Sequence, residues 1–136
     1  MGKQRTEASV QGEIVLDAGG LIAFERADET VAALIEGAAK LQATVVIPAS
    51  ALAQAWRGGP RSARLAHLLA HTASEPLDES RAKEVGERLG RRAGTDIADA
   101  HVVCCALDQG AIVFTSDRGD IEALAEPNEH LTLIAI

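Results

Sequence analysis

In the stretch TDIADAHVVCCAL, residues 95–107, two aspartates stand three positions apart at the head of a strongly apolar helical pattern. On a helix Asp96 and Asp99 share a face, and like charges so placed cost roughly 0.2–0.5 kcal/mol. Two more aspartates follow apolar runs directly: Asp17 after EIVL and Asp117 after AIVFTS, with Asp120 close behind. If Asp17, Asp96, Asp99 and Asp117 met, they would raise one another's pKa and partly protonate unless a cation intervened. Oxygen donors of this kind suit hard divalent ions such as Mg2+ or Mn2+. Ions held in that way activate water for hydrolysis, so the chemistry requires no nucleophilic Ser or Cys paired with His. The sequence contains no phosphate-binding loop of the GxxxxGK type.

Each acid also has a plainer reading. Asp17 can cap the helix that follows it, Asp96 can partner a helix dipole, and Asp117 can be a turn residue. Asp99 is harder to dismiss, because its neighbours in ADAHVVCCAL read as buried. Taken together, the plain readings require several independent coincidences, whereas a metal site requires one.

The elements that must position these acids follow from the apolar pattern. Ile14 to Leu16 reads as a strand, followed by Asp17 and a glycine turn, a helix from about Leu21 and a second over 28–41. TVVIP is a buried-type strand stopped by Pro48, and 50–56 is a short helix broken by RGGP. RSARLAHLLAH repeats Leu65, Leu68 and Leu69 at helical spacing, and 79–93 is amphipathic with Val85 and Leu89 inward. The Asp96–Asp99 helix is expected to take Thr95 as N-cap and to stop at Gly110. AIVFTSD is a strand, DIEALAE a helix and LTLIAI a closing strand. This alternation predicts an α/β domain whose central, mainly parallel sheet is covered on both faces. Ligands bind such sheets beyond the carboxyl ends of the strands, so Asp17 and Asp117 should project from one edge. The head of the Asp96–Asp99 helix should open there too.

Composition narrows the function classes. A chain of 136 residues, 47% hydrophobic, is long enough for one packed domain, expected over 13–136 after a polar tail over 1–12. Only 2% is aromatic, which disfavours single-strand binding by base stacking. No apolar run approaches the length of a membrane span, and the start shows no secretory pattern, so the expected location is cytoplasmic. The net charge of −7 argues against simple nucleic-acid binding but not against a nuclease whose acids gather around metal ions. Charge is uneven along the chain: RGGPRSAR, 57–64, holds three arginines and no acid. Cys104 and Cys105 are adjacent inside a helical pattern and form no disulfide framework.

The segments IVLDAGGLIAFE, VIPASALAQAWRGG and DIADAHVVCCALDQGAIVFTSDRGDIEAL, with the closing strand, resemble a PIN domain. More narrowly, they resemble the VapC-type toxin ribonucleases of bacterial toxin–antitoxin pairs, over nearly the whole chain from about Glu13. The resemblance implies a three-layer α/β/α sandwich. It matches Asp17 to the acid after the first strand, Asp99 to the acid opening the DA helix, and Asp117 to the acid of T-x-D. Asp96 and Asp120 resemble accessory acids of the same pocket. The implied activity is that of a metal-dependent endoribonuclease, hydrolysing RNA with water activated by carboxylate-bound Mg2+ or Mn2+. The implied partners are a second copy of the chain, in a homodimer, and a cognate antitoxin protein covering the acidic pocket.

One departure stands out: the family usually carries a glutamate where this chain has Gln54. Glutamine keeps the length and a carbonyl oxygen but not the charge, and can still hold a metal-bound water. Asp96 would then supply the missing charge. The alternative is a catalytically weak PIN scaffold that binds RNA or a protein partner. A phosphohydrolase of small esters would want D-x-D, and LDAGG lacks the second acid.

Arg57, Arg61 and Arg64 follow Gln54 closely and suit phosphate contact with an RNA backbone. Thr115 and Ser116 place hydroxyls beside the acids. His67 and His71 have helical zinc-binding spacing, but no acid or cysteine completes a set locally, so they read as an exposed polar stripe. His101 turns away from Asp99 and reads as a packed or hydrogen-bonded histidine.

Overall fold

The computed structural model describes residues 12–136, so the expected polar tail, apart from Gly12, lies outside the described residues. Five strands form one sheet: β1 (Glu13–Leu16), β2 (Thr44–Pro48), β3 (Ala73–Glu75), β4 (Ile112–Thr115) and β5 (Thr132–Ala135). Their order is β3-β2-β1-β4-β5, and every neighbouring pair is parallel. Parallel strands need crossovers, which the helices supply: α1 (Ala18–Glu25), α2 (Glu29–Lys40), α3 (Ala49–Ala55), α4 (Ala63–Leu69), α5 (Glu79–Arg92), α6 (Ile97–Gln109) and α7 (Arg118–Ala123). This is the mixed α/β architecture that the alternation of strands and helices implied.

The central strands read as continuous apolar runs because both their faces are covered. Val15, Leu16, Ile47 and Val113 are fully enclosed. Helix α6 is buried almost all round, from Ala98 to Ala106, which explains why its sequence shows no polar face. Burial also pushes the Cys104 and Cys105 thiols up, so both stay protonated and unreactive. No helix among the described residues is long and apolar enough to cross a membrane.

Two expectations need correction, and one strand was not foreseen. Gly19 and Gly20 are not a turn; α1 starts at Ala18, directly after its cap Asp17. Their glycines serve close packing: a Cβ at 19 would collide with Ser116 Oγ, and one at 20 would crowd Ile136 and Leu16. Helix α6 is capped by Asp96, not Thr95, with the Asp96 side chain accepting from the Asp99 N–H. Aspartate outranks threonine at this position, and Thr95 stays exposed. Strand β3, in HTASEP, carries no apolar signal because it is a short, largely exposed edge strand whose strand partner is β2.

Candidate functional site

Strand β1 ends at Leu16, opposite Phe114 of the parallel strand β4, so Asp17 and Asp117 leave the sheet at the same carboxyl edge. Asp17 is only 2% exposed. Its Oδ1 accepts from the Gly20 N–H at 2.7 Å, capping α1, and its Oδ2 accepts from the Thr115 hydroxyl at 2.6 Å and the Ser116 N–H at 3.3 Å. Thr115 in turn accepts from the Asp117 N–H at 2.8 Å. Thr115 is therefore a buried link that ties the Asp117 turn to Asp17, whereas Ser116 lies exposed at the rim.

The other acids arrive through one local device used twice. Asp96 caps α6 by accepting from the Asp99 N–H at 2.8 Å, and Asp117 caps α7 by accepting from the Asp120 N–H at 3.4 Å. Each helix thus begins Asp-x-x-Asp, with one acid at the cap and one in the first turn. The cap bond and the helix dipole offset part of the repulsion between such neighbours, by about 1 kcal/mol and roughly 0.3–1 kcal/mol respectively. They do not remove it. The Asp99 carboxyl is pushed up to about 6, first by burial and then by the charges of Asp96, Asp17, Asp117 and Asp120. Asp120 is also held above the usual carboxylate range, by a hydrogen bond shared with Asp117 and by its charge.

All five acids foreseen from the sequence are thus electrostatically joined, and Asp96, Asp99 and Asp120 line one cavity. Arg92 borders that cavity, but it donates to the Ala123 carbonyl and faces Glu126. Crowded carboxylates offering only oxygen fit a hard divalent ion by donor type. As they stand, no three His, Cys, Asp or Glu side chains among the described residues are gathered closely enough to hold a metal ion. Asp96 and Asp117 are engaged in their cap bonds, and Asp96, Asp117 and Asp120 are exposed.

Gln54 is not in the acid cavity. It is exposed and lines a second one, between the far ends of α1 and α3, together with Arg26, Arg57 and Arg61. Arg64 is placed apart, donating to the Phe24 carbonyl at 3.0 Å with its guanidinium 5.2 Å from the Phe24 ring centre. His67 and His71 are exposed and meet edge to face.

Two buried polar groups carried little sequence signal. His101 is fully enclosed, as its face of α6 suggested, but its partners come from distant segments: Ser50 Oγ and Glu75 Oε1, both at 2.7 Å. Arg81 completes this network with paired bonds to Glu75 and a third to Asp108. Arg88, 3% exposed, lies three residues after Val85 on the inner face of α5 and pairs with Glu129 at 2.7 Å. That spacing was the one available hint of its burial.

The PIN domain family model matches residues 14–127. The structure of VapBC2 from Rickettsia felis bound to a DNA fragment from their promoter is similar over 90% of this chain and 98% of that one, with TM-score 0.67 and 16% identity. The structure of FitAB bound to an IR36 DNA fragment is similar over 90% and 94%, with TM-score 0.59 and 18% identity. At such identities the likeness is one of fold. No curated protein matches the chain in sequence.

Proposed function

The chain belongs to the PIN domain family, and from that premise we propose that it is a metal-dependent endoribonuclease, the toxin half of a toxin–antitoxin pair. The observation that carries this reading is the set of five aspartates brought to one sheet edge, three of them lining one cavity, with none of the five in an ion pair among the described residues. Burial first and then the neighbouring charges push Asp99 up to about 6. Asp17, Asp96, Asp99 and Asp117 would hold Mg2+ or Mn2+, with Asp120 alongside. A bound divalent ion would lower the pKa of water for in-line attack on an RNA phosphodiester and neutralise charge that develops on the phosphate. The chain's own part is to fix the acids. Thr115 and the Ser116 and Gly20 N–H groups hold Asp17 rigidly, and Asp96 sets the first turn from which Asp99 projects.

The likeness to the VapBC2 and FitAB structures supports a partner antitoxin. A homodimer working in the cytoplasm completes the proposal. A second reading, a weakly catalytic scaffold that binds RNA or protein, is favoured by Gln54, whose side chain lies outside the acid cavity and carries no charge.

Cleavage of a mixed RNA pool by antitoxin-free protein, with Mg2+, with Mn2+ and with chelator, tests the proposal beside Asp99→Asn. Metal-dependent cleavage that disappears in the variant supports the nuclease. Equal inactivity of two folded, metal-supplied proteins moves the scaffold ahead.

A further inference from the structure

The chain has thirteen Lys and Arg residues against twenty Asp and Glu, yet its cations are sharply divided by environment. Arg81, Lys83, Arg88, Arg91, Arg92 and Arg118 all meet carboxylates. Among the described residues Arg26, Lys40, Arg57, Arg61 and Arg64 form no ion pair, and three of these five, Arg26, Arg57 and Arg61, line one cavity with Gln54. The single acid of that wall, Glu25, uses its Oε1 to accept from the Leu65 N–H. The Arg57 guanidinium donates to the neighbouring Trp56 carbonyl and meets no carboxylate among the described residues. A protein of net charge −7 therefore keeps three exposed arginines on one cavity against a single lining carboxylate, with no ion pair among them.

We propose that this cavity is a phosphate-binding subsite for single-stranded RNA, formed by Arg26, Arg57 and Arg61; the proposal rests on the nuclease reading above. Guanidinium forks suit phosphate oxygens. The cavity, about 410 Å³, has the size for a phosphate with its sugar. Helix α1 runs from the Asp17 cap to the cavity, roughly 12 Å at 1.5 Å per residue. The phosphate bound there is thus a different one from the phosphate at the acids, and a strand rather than a lone phosphate ion reaches both. Gln54 gains a role on this account. A carboxylate at position 54 would stand among the arginines and neutralise them, whereas the amide leaves them open to an anion.

Trp56 makes the subsite observable. It is the one tryptophan of a chain without tyrosine, partly exposed, between the cavity residues Ala55 and Arg57. The experiment follows its fluorescence in the full chain as a 2′-O-methyl RNA octamer is added in chelator at several salt concentrations. The wild type should bind, and Arg26→Ala with Arg61→Ala should weaken binding at least tenfold. The slope of log affinity against log salt should fall by about 0.7 for each phosphate contact removed. Gln54→Glu should weaken binding several-fold, while Gln54→Ala and Lys40→Ala, the latter at the opposite sheet edge, change it less than twofold.

Unchanged affinity and slope in the double arginine variant would overturn the subsite, and if the wild type still cleaves RNA the nuclease reading survives. Displacement of the octamer by a hexaglutamate peptide at equal charge would also overturn it, assigning the cavity to an acidic protein segment. Binding through these arginines without any metal-dependent cleavage would keep the subsite and remove the nuclease.

Discussion

Helix α6 carries two ionisable side chains two residues apart that live in opposite electrostatic worlds. On one face, His101 is enclosed and answered at both ring nitrogens, by Ser50 and by Glu75, and Glu75 is answered by Arg81. Burial pushes Glu75 up, but the bonds from Arg81 and His101 outweigh it and hold the carboxyl below its ordinary range. On the other face, Asp99 is half-buried among four further carboxylates, and burial and their charges move it the other way, to about 6. The same helix supports both, so the difference is not one of fold. Polar groups that stabilise a fold arrive with their counter-charges built in. A cluster that lacks them is kept at a cost to stability, and the missing charge is left to a ligand.

If that contrast holds, removing charge from the two regions has opposite effects on stability. Arg88→Met, in the compensated class, leaves Glu129 without its guanidinium and the Leu124 carbonyl without its donor, and should cost about 1–3 kcal/mol, read from urea unfolding. Gly19→Ala attacks the scaffold of the acid edge instead. The new methyl displaces Ser116 from Asp17, at about 1–3 kcal/mol, and metal-dependent cleavage should fall more than stability does.

Asp99→Asn should stabilise the metal-free protein at pH 7. The raised pKa sets an upper bound of about 3 kcal/mol, and solvent screening of this half-exposed group reduces it to the order of 1 kcal/mol. Loss of stability in Asp99→Asn without metal would break the comparison.

A pH series gives the smallest and most diagnostic effect. Asp99 binds its proton more tightly folded than unfolded, so its contribution to stability grows as pH falls through about 6 towards 4. His101 is shifted the other way: burial lowers its pKa despite the bond from Glu75, so its contribution is present above about 6.5 and lost below. Between pH 7 and 5 the two oppose each other. Metal-free Asp99→Asn should therefore lose stability over that window, and His101→Gln should gain it, with urea midpoints at the two pH values as the readout.

The parallel sheet was legible because strands covered on both faces must be apolar throughout, and EIVL, TVVIP and AIVFT are. Asp17 and Asp117 were legible because a residue just past a parallel strand can only project from the carboxyl edge. Caps were harder to read. Thr95 and Asp96 are both good cap residues in adjacent positions, and only the backbone decides that Asp96 makes the bond. Gly19 and Gly20 read as a turn because sequence cannot show that Ser116, almost a hundred residues away, fills the space a side chain would need. Glu75 and its strand were invisible for a related reason: an exposed edge strand has no hydrophobic pattern, and its one partly buried carboxylate is defined by Arg81 and His101 from other elements. Gln54 matched a family position by spacing, whereas its surroundings, set by the far end of α1, place it among arginines.

The most direct test of the central claim, that the acid edge is completed by a cation, is thermal or urea stability of metal-free protein titrated with Mn2+ and Mg2+. The account predicts saturable stabilisation of the wild type, about 2.7 kcal/mol at an ion concentration a hundred times the Kd. It predicts little or none in Asp99→Asn and Asp17→Asn. A wild type indifferent to both ions, or variants stabilised as much as the wild type, would contradict it.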